Sequence, residues 1–247
     1  MPRRAREVSV RDWADALLAV LLAPLCAACH EPLAQPTRGC VCNACWDAIV
    51  RTPSPVCARC GAPLPGDNQP FSGACSCGAG TSAVTIARAV GPYEGALRAI
   101  VHALKYDGRR SIARRLSHLM AECATEILAG ANAAVPVPLH RTRHRQRGFN
   151  QAHDLARHLG LPVRHALRRV RHTNVQATLH ASERWSNVEG AFTVTRRAAA
   201  LQGAVVVLVD DVRTTGATLE ACARALRRAG IAEVRVLTAA RVAPPSA

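Results

Sequence analysis

The chain of 247 residues reads as an α/β protein: a largely parallel sheet with helices on both faces, preceded by a small cysteine-rich module. Three observations predict this. Eight of the eleven cysteines fall in four close pairs confined to the first third. Strand and helix signals alternate from residue 83 onward. One apolar run, Val205 to Val209, ends on Asp210-Asp211 and leads through a Thr/Gly loop into a helical pattern. Hydrophobic content of 49% is enough for a packed core and argues against disorder.

The first element is a short helix. Residues 16–25 (ALLAVLLAPL) follow a basic N-terminus, but ten apolar residues are too few to cross a bilayer, and Asp12 and Asp15 precede them. Trp13, Leu17, Leu21 and Leu25 recur at helical spacing. The segment is therefore expected to be a buried helix rather than a signal peptide, and the protein cytoplasmic.

The cysteines follow. They pair as Cys26-x2-Cys29, Cys42-x2-Cys45, Cys57-x2-Cys60 and Cys75-x-Cys77, with 12, 11 and 14 residues between pairs. A CxxC turn offers two thiolates to one metal ion, and two such turns complete the tetrahedral shell of Zn²⁺. Four pairs suit two structural zinc ions. A disulfide framework would call for an exported chain, and no feature marks this one as exported. Spacing leaves open whether the pairs combine one-two and three-four or interleave. Cys40 is a spare thiol that competes with Cys42, whereas Cys123 and Cys222 sit in apolar helical patterns and read as core residues. The module is expected to occupy residues 1–82, an N-terminal helix and a double zinc ribbon, with the sheet domain over 83–247.

In that second domain the patterns predict strands over 84–90, 133–137, 192–195, 205–209 and 234–238. Helices are expected over 96–104, 111–128, 150–159 and 216–229. Open parallel sheets bind ligands beyond the carboxyl ends of their strands, where Asp210 and Asp211 stand. Thr214-Thr215-Gly216-Ala217-Thr218 opens the next helix. Its free N–H groups and hydroxyls form an anion cradle, and Gly216 lets the backbone approach a phosphate. Two carboxylates just upstream accept hydrogen bonds from vicinal hydroxyls. A pentose with a 5-phosphate at one end and a diol at the other satisfies both halves. A capping role would account for one aspartate but not for the Thr/Gly run.

These residues resemble a known motif. VLVDDVRTTGAT (207–218) is similar to the phosphoribosyl-diphosphate-binding motif of type I phosphoribosyltransferases. The chain as a whole resembles the ComF family of competence-associated proteins, which adds an N-terminal zinc ribbon. ALKY (103–106), VPVPLHRTRHRQRGFNQ (135–151) and NVQATLHASERWSNVEGAF (174–192) carry the further likeness. The resemblance implies a type I phosphoribosyltransferase-like sheet and phosphoribosyl diphosphate (PRPP) as ligand. Asp210 and Asp211 would hold the ribose hydroxyls, directly or through Mg²⁺, with Thr214, Thr215, Gly216, Ala217 and Thr218 around the 5-phosphate. Arg147 to Gln151 would shape the diphosphate side. Gln176, Arg184 and Asn187 lie in a long polar segment resembling a loop that closes over the sugar diphosphate. Lys105 and Arg147 are the candidate catalytic contacts. Lys105 is the single lysine of the chain, a compact point charge suited to a diphosphate.

Charge bears on partners. The net charge of +15 attracts polyanions, although an almost all-Arg basic set also fits composition bias. Between His140 and His172 stand nine arginines and one acid, Asp154. In an extended segment Arg141, Arg143, Arg145 and Arg147 would form a comb for nucleic-acid phosphates. Base stacking has little support here, since only Phe149 lies within the comb. The family resemblance implies a DNA-uptake factor that binds single-stranded DNA and works with a DNA-uptake helicase or other competence proteins. The alternative is a working phosphoribosyltransferase. Thr214 stands where enzymes acting on 6-oxopurines carry a carboxylate, and threonine is a poor general base, so its acceptor would be of another kind. His140, His144, His153 and His172 flank the pocket segments and are expected as solvated surface.

Overall fold

The computed structural model describes residues 9–64, 75, 77, 82–171, 188 and 190–242. The strands are β1 (Ile86–Pro92), β2 (Ala133–Pro136), β3 (Leu167–Arg169), β4 (Phe192–Val194), β5 (Val205–Arg213) and β6 (Glu233–Arg241). The helices are α1 (Val10–Leu22), α2 (Asn43–Asp47), α3 (Gly95–Tyr106), α4 (Ile112–Glu122), α5 (Thr125–Leu128), α6 (Arg141–Arg147), α7 (Gln151–Ala156) and α8 (Ala217–Arg228). The main sheet has the order β1-β6-β5-β2 with every pairing parallel, and β3 and β4 form a separate antiparallel pair.

The β-branched run of β5 suits a strand covered on both sides. Its residues alternate between two cores. Val207 and Val209 pack with Ile100 and Leu104 of α3 and with Met120 of α4. Val206 and Leu208 pack with Cys222 and Leu226 of α8 and with Phe192 of β4.

Both edges of the sheet are covered. Along β1 the ribbon segment adds backbone bonds, from Thr52 N–H to Val90 O (2.9 Å) and from Ala87 N–H to Arg59 O (2.7 Å). The approach is so close that a Cβ on Gly91 would stand 2.0 Å from Val50 O, and one on Gly61 2.6 Å from Ala87 O. Beyond β2, Ala134 exchanges backbone bonds with Pro162 and Arg164 (3.0 and 2.9 Å). Cys26, Leu33, Val41 and Trp46 of the ribbon share a core with Val90, Leu97 and Ile100, so module and sheet pack as one body.

Several expectations are corrected. α1 forms, but its apolar stripe faces outward: Trp13 and Leu17 are 70% and 60% exposed, and Leu21 and Leu25 are exposed too. The buried residue is Asp15, whose carboxylate accepts from Thr37 N–H at 2.8 Å and so turns the polar side inward. The helix expected over 111–128 breaks at Cys123 and Ala124, giving α4 and α5. Arg141 to Arg147 is not an extended comb but the helix α6, N-capped by His140 and ended by Gly148 at φ 74°. Its arginines therefore spread around an axis. β3 was not anticipated, because three residues are too few for an alternation to register. Gln176, Arg184, Asn187 and His172 lie outside the described residues. Among the described residues no helix is long and apolar enough to cross a membrane.

Candidate functional site

The cysteines resolve the pairing question. Cys26, Cys29, Cys42 and Cys45 form one group, Cys57, Cys60, Cys75 and Cys77 a second, with sulfurs within 4.8 Å of one another in each. Sγ–Sγ separations are 3.9 Å for Cys26–Cys45, Cys29–Cys42 and Cys57–Cys77. Tetrahedral Zn–S bonds of about 2.3 Å require sulfur edges of ~3.8 Å, which these three separations match, while Cys60 and Cys75 of the second group lie closer, at 3.1 Å. Cys40 belongs to neither group and lies 3.5 Å from the Ser111 hydroxyl.

The two knuckles are built alike, which sequence reading noted only as recurring pairs. In the first, Cys26 N–H donates to Glu31 O and His30 N–H to Cys26 O; in the second, Cys57 N–H donates to Ala62 O and Gly61 N–H to Cys57 O. His30 and Gly61 share the left-handed conformation (φ 62° and 65°). At the second knuckle Gly61 lies against Ala87 of β1, where a Cβ would clash, and there the residue is glycine. Burial opposes ionisation of Cys26 and Cys57. Backbone N–H groups of Cys29 and Cys42 in one case, and of Cys60 and Arg59 in the other, outweigh it and bring each thiol down to about 6. Thiolates are the form that binds metal.

The carboxylate doublet stands at the carboxyl end of β5, but not as a side-by-side pair. Successive residues of a strand point to opposite faces. Asp211 continues the Val207–Val209 face and Asp210 the Val206–Leu208 face. β5 also runs further than expected, to Arg213, with Asp210 opposite Thr238 of β6.

Asp211 is 3% exposed, and its Oδ1 lies 2.9 Å from Lys105 Nζ of α3. Its Oδ2 is buried, with no hydrogen-bond partner among the described residues. Burial alone would lower the lysine's pKa; the Asp211 charge outweighs it and holds the ammonium above its ordinary value. Lys105 Nζ also lies 6.0 Å from the Tyr93 ring centroid. Asp210 is half-buried, and its Oδ1 accepts from Asp211 N–H at 2.9 Å. Burial first, then the Asp211 charge, push it up to about 7, against the pull of Lys105.

Directly after β5 comes the Thr/Gly loop. Gly216 is the N-cap of α8 at φ 81° and, being glycine, brings no capping side chain of its own. The first-turn N–H groups are thus left for an anion, apart from Ala217 N–H, which has Thr215 Oγ1 at 3.4 Å. Arg213 ties this loop to the metal module: its guanidinium donates to Cys60 O at 3.0 Å, and a Cβ on Gly216 would meet its Nε at 3.3 Å.

The RGFNQ stretch ends up beside β2. Arg147 stacks on Tyr106 with its guanidinium 5.0 Å from the ring centroid, so ALKY and RGFNQ meet at that point. Phe149 and Gln151 are buried, and Asn150 caps α7 and donates to Val137 O at 3.0 Å. A cleft of about 380 Å³ lies here, lined by Arg110, His144, Asn150 and His153 among others. Arg110 holds Asp154 through two bonds of 2.6 and 2.8 Å, so the cleft's one guanidinium is neutralised by its one carboxylate. Arg169, Arg213 and Tyr93 were not singled out beforehand. Arg213 sits inside the quoted motif and was legible there; Arg169 and Tyr93 are placed only by the fold.

Comparison with known proteins agrees with this arrangement. A double zinc ribbon domain model matches residues 17–78 and a phosphoribosyl transferase domain model residues 145–245. Competence protein F of Haemophilus influenzae is 33% identical over 162 residues, covering 62% of this chain and 71% of that protein. DNA utilization protein YhgH of Escherichia coli is 34% identical over 232 residues, covering 86% of this chain and 94% of that protein. Competence protein ComFC of Bacillus subtilis is 41% identical over 96 residues, 39% of this chain and 38% of that protein. Among solved structures, the allosteric regulatory enzyme of purine biosynthesis aligns with a TM-score of 0.36 and 24% identity, over 52% of this chain and 25% of that one. With a relative matched over nearly its full length and both domain models in the expected order, the chain belongs to the ComF family, a double zinc ribbon joined to a phosphoribosyl transferase domain.

Proposed function

We propose that this protein is a cytoplasmic DNA-uptake factor whose residues 83–247 bind PRPP with Mg²⁺ and whose basic surface holds single-stranded DNA. Residues 1–82 form the zinc-stapled module that braces the sheet. A DNA-uptake helicase or other competence protein is the partner class. The reading is carried by one juxtaposition: the carboxylate of Asp210 next to the uncapped N-terminus of α8 at the carboxyl edge of the sheet.

In this reading Asp210 accepts the ribose hydroxyls, and Thr214, Thr215, Gly216, Ala217 and Thr218 surround the 5-phosphate. Asp211 supports from behind through its bond to Lys105 rather than by touching the sugar. Mg²⁺, when bound, supplies positive charge between diphosphate and diol. Calorimetry with PRPP and Mg²⁺ tests the reading. Binding by the wild type and loss of binding in Asp210→Asn are expected; equal affinity in both proteins would refute it.

A working phosphoribosyltransferase is the second reading, favoured by the intact Asp doublet and Thr/Gly loop. Transfer forms a bond from the acceptor to the anomeric carbon, breaks the bond to diphosphate, and sends the acceptor's proton to solvent. No carboxylate lies in the loop from Thr214 to Thr218, so the acceptor must be a nucleophile that needs no base there. Diphosphate release from PRPP that rises with an added amine or nucleobase would establish this activity.

A further inference from the structure

The exposed ring of Tyr106 in ALKY meets the half-buried Arg147 of RGFNQ. Tyr106 is 61% exposed; among the described Phe, Trp and Tyr residues only it and Trp13 are exposed. Two contacts fix its ring without covering it. The Arg147 guanidinium is 5.0 Å from the centroid, and the His102 ring is 4.6 Å away, tilted by 43°.

From Arg147, α6 runs back to Arg141, a helix of seven residues and so about 10 Å long. Arg141 lines a second cleft, of about 310 Å³, with Arg168, Arg169, Arg197, His165 and Thr195. Among the described residues no acidic one lines it. One short helix thus joins an exposed aromatic–guanidinium stack to a pocket walled by arginines.

These are the two chemistries of a single strand. Its bases present open π-faces that stack on aromatic rings and guanidinium planes, and its phosphates seek cations. A duplex hides its base faces, and a lone nucleotide cannot reach both ends. At about 3.4 Å per stacked nucleotide, α6 spans roughly three of them.

We infer that α6 is the spine of a single-stranded nucleic-acid track, with a base on the Tyr106–Arg147 stack and phosphates in the Arg141–Arg168–Arg197 cleft. The inference rests on the nucleic-acid reading above and gives it a location. It also answers the shortage of aromatics in the Arg-rich segment, because the stacking ring comes from α3.

The test uses the zinc-loaded full chain and a short fluorescein-labelled oligo(dT), with anisotropy measured across a salt series. Tyr106→Ala is expected to weaken binding by about tenfold without changing the salt slope, and Tyr106→Trp to restore it. Arg168→Ala with Arg197→Ala is expected to reduce the slope of log K against log[salt] by about 1.4. If the wild type binds but both variants match it in affinity and slope, the track is wrong while DNA binding stands. Equal binding of duplex, insensitive to Tyr106→Ala, would also overturn it. If the wild type binds no oligonucleotide, the nucleic-acid reading itself falls.

Discussion

Lys105 of α3 and Asp211 of β5 meet at 2.9 Å in a setting that leaves the carboxylate almost no solvent. The lone lysine of an arginine-rich chain is thus committed to one buried anion, and the two aspartates of the doublet point to opposite faces of β5.

That pair sets the first prediction. Removing one partner of a buried ion pair strands the other, at about 3–5 kcal/mol. Lys105→Met is expected to destabilise by this amount in urea unfolding. Combining it with Asp211→Leu is expected to recover most of the loss, because the buried charge is gone as well. A double variant no better than the single would show that Lys105 acts elsewhere.

Asp210 gives a pH dependence opposite to that of an ordinary surface carboxylate. Its pKa is raised to about 7, so between the usual carboxylate range and pH 7 the folded chain keeps a proton that the unfolded chain has released. The associated stability is complete below about pH 4 and is lost as pH climbs through 7. Asp210→Asn removes the titration. The variant is expected to be more stable than the wild type at high pH by about 1–3 kcal/mol, with the gap closing on acidification. Parallel urea midpoints for the two proteins across pH would contradict this.

Gly216 carries the Thr/Gly loop through φ 81°, and an added Cβ would press on Arg213. Gly216→Ala is expected to cost about 1–2 kcal/mol of stability and to weaken PRPP binding by about tenfold, read in the same calorimeter. Unchanged affinity would mean that the loop backbone does not approach the ligand.

Metal content is the fourth check. Two four-thiol groups predict about two zinc ions per chain by elemental analysis. Chelation is expected to strip hydrogen-exchange protection from the amides of Thr52 and Ala87, which bond across the ribbon–β1 seam. Retained protection after zinc loss would mean that the seam does not depend on the metal.

Legibility followed the length and strictness of the patterns. β5 and α8 were readable because a β-branched run and a 3.6-residue period are strong local signals, and the Cys pairs because zinc chemistry constrains spacing. The orientation of the doublet follows from strand alternation, but the apolar run ends at Val209 and so hides that the strand continues to Arg213. α1 was placed as a helix correctly and buried wrongly: periodicity tells which residues share a face, not whether anything covers it. The arginines of α6 misled because alternation of one residue type suggested a strand, while the His140 cap and Gly148 stop mark a helix. Arg169 of β3, remote in sequence, comes within electrostatic reach of Asp210 only through the fold.

The seam between Thr52, Arg59 and β1 has a consequence for how the protein can be handled. A strand edge left bare is a template on which further chains can add. Trimming the chain to its C-terminal domain would remove the backbone that finishes β1 and expose Gly91, a residue with no side chain to block an incoming strand. Such a fragment would be prone to precipitate for reasons unrelated to its pocket, so the metal-bearing segment belongs in any working form of the protein.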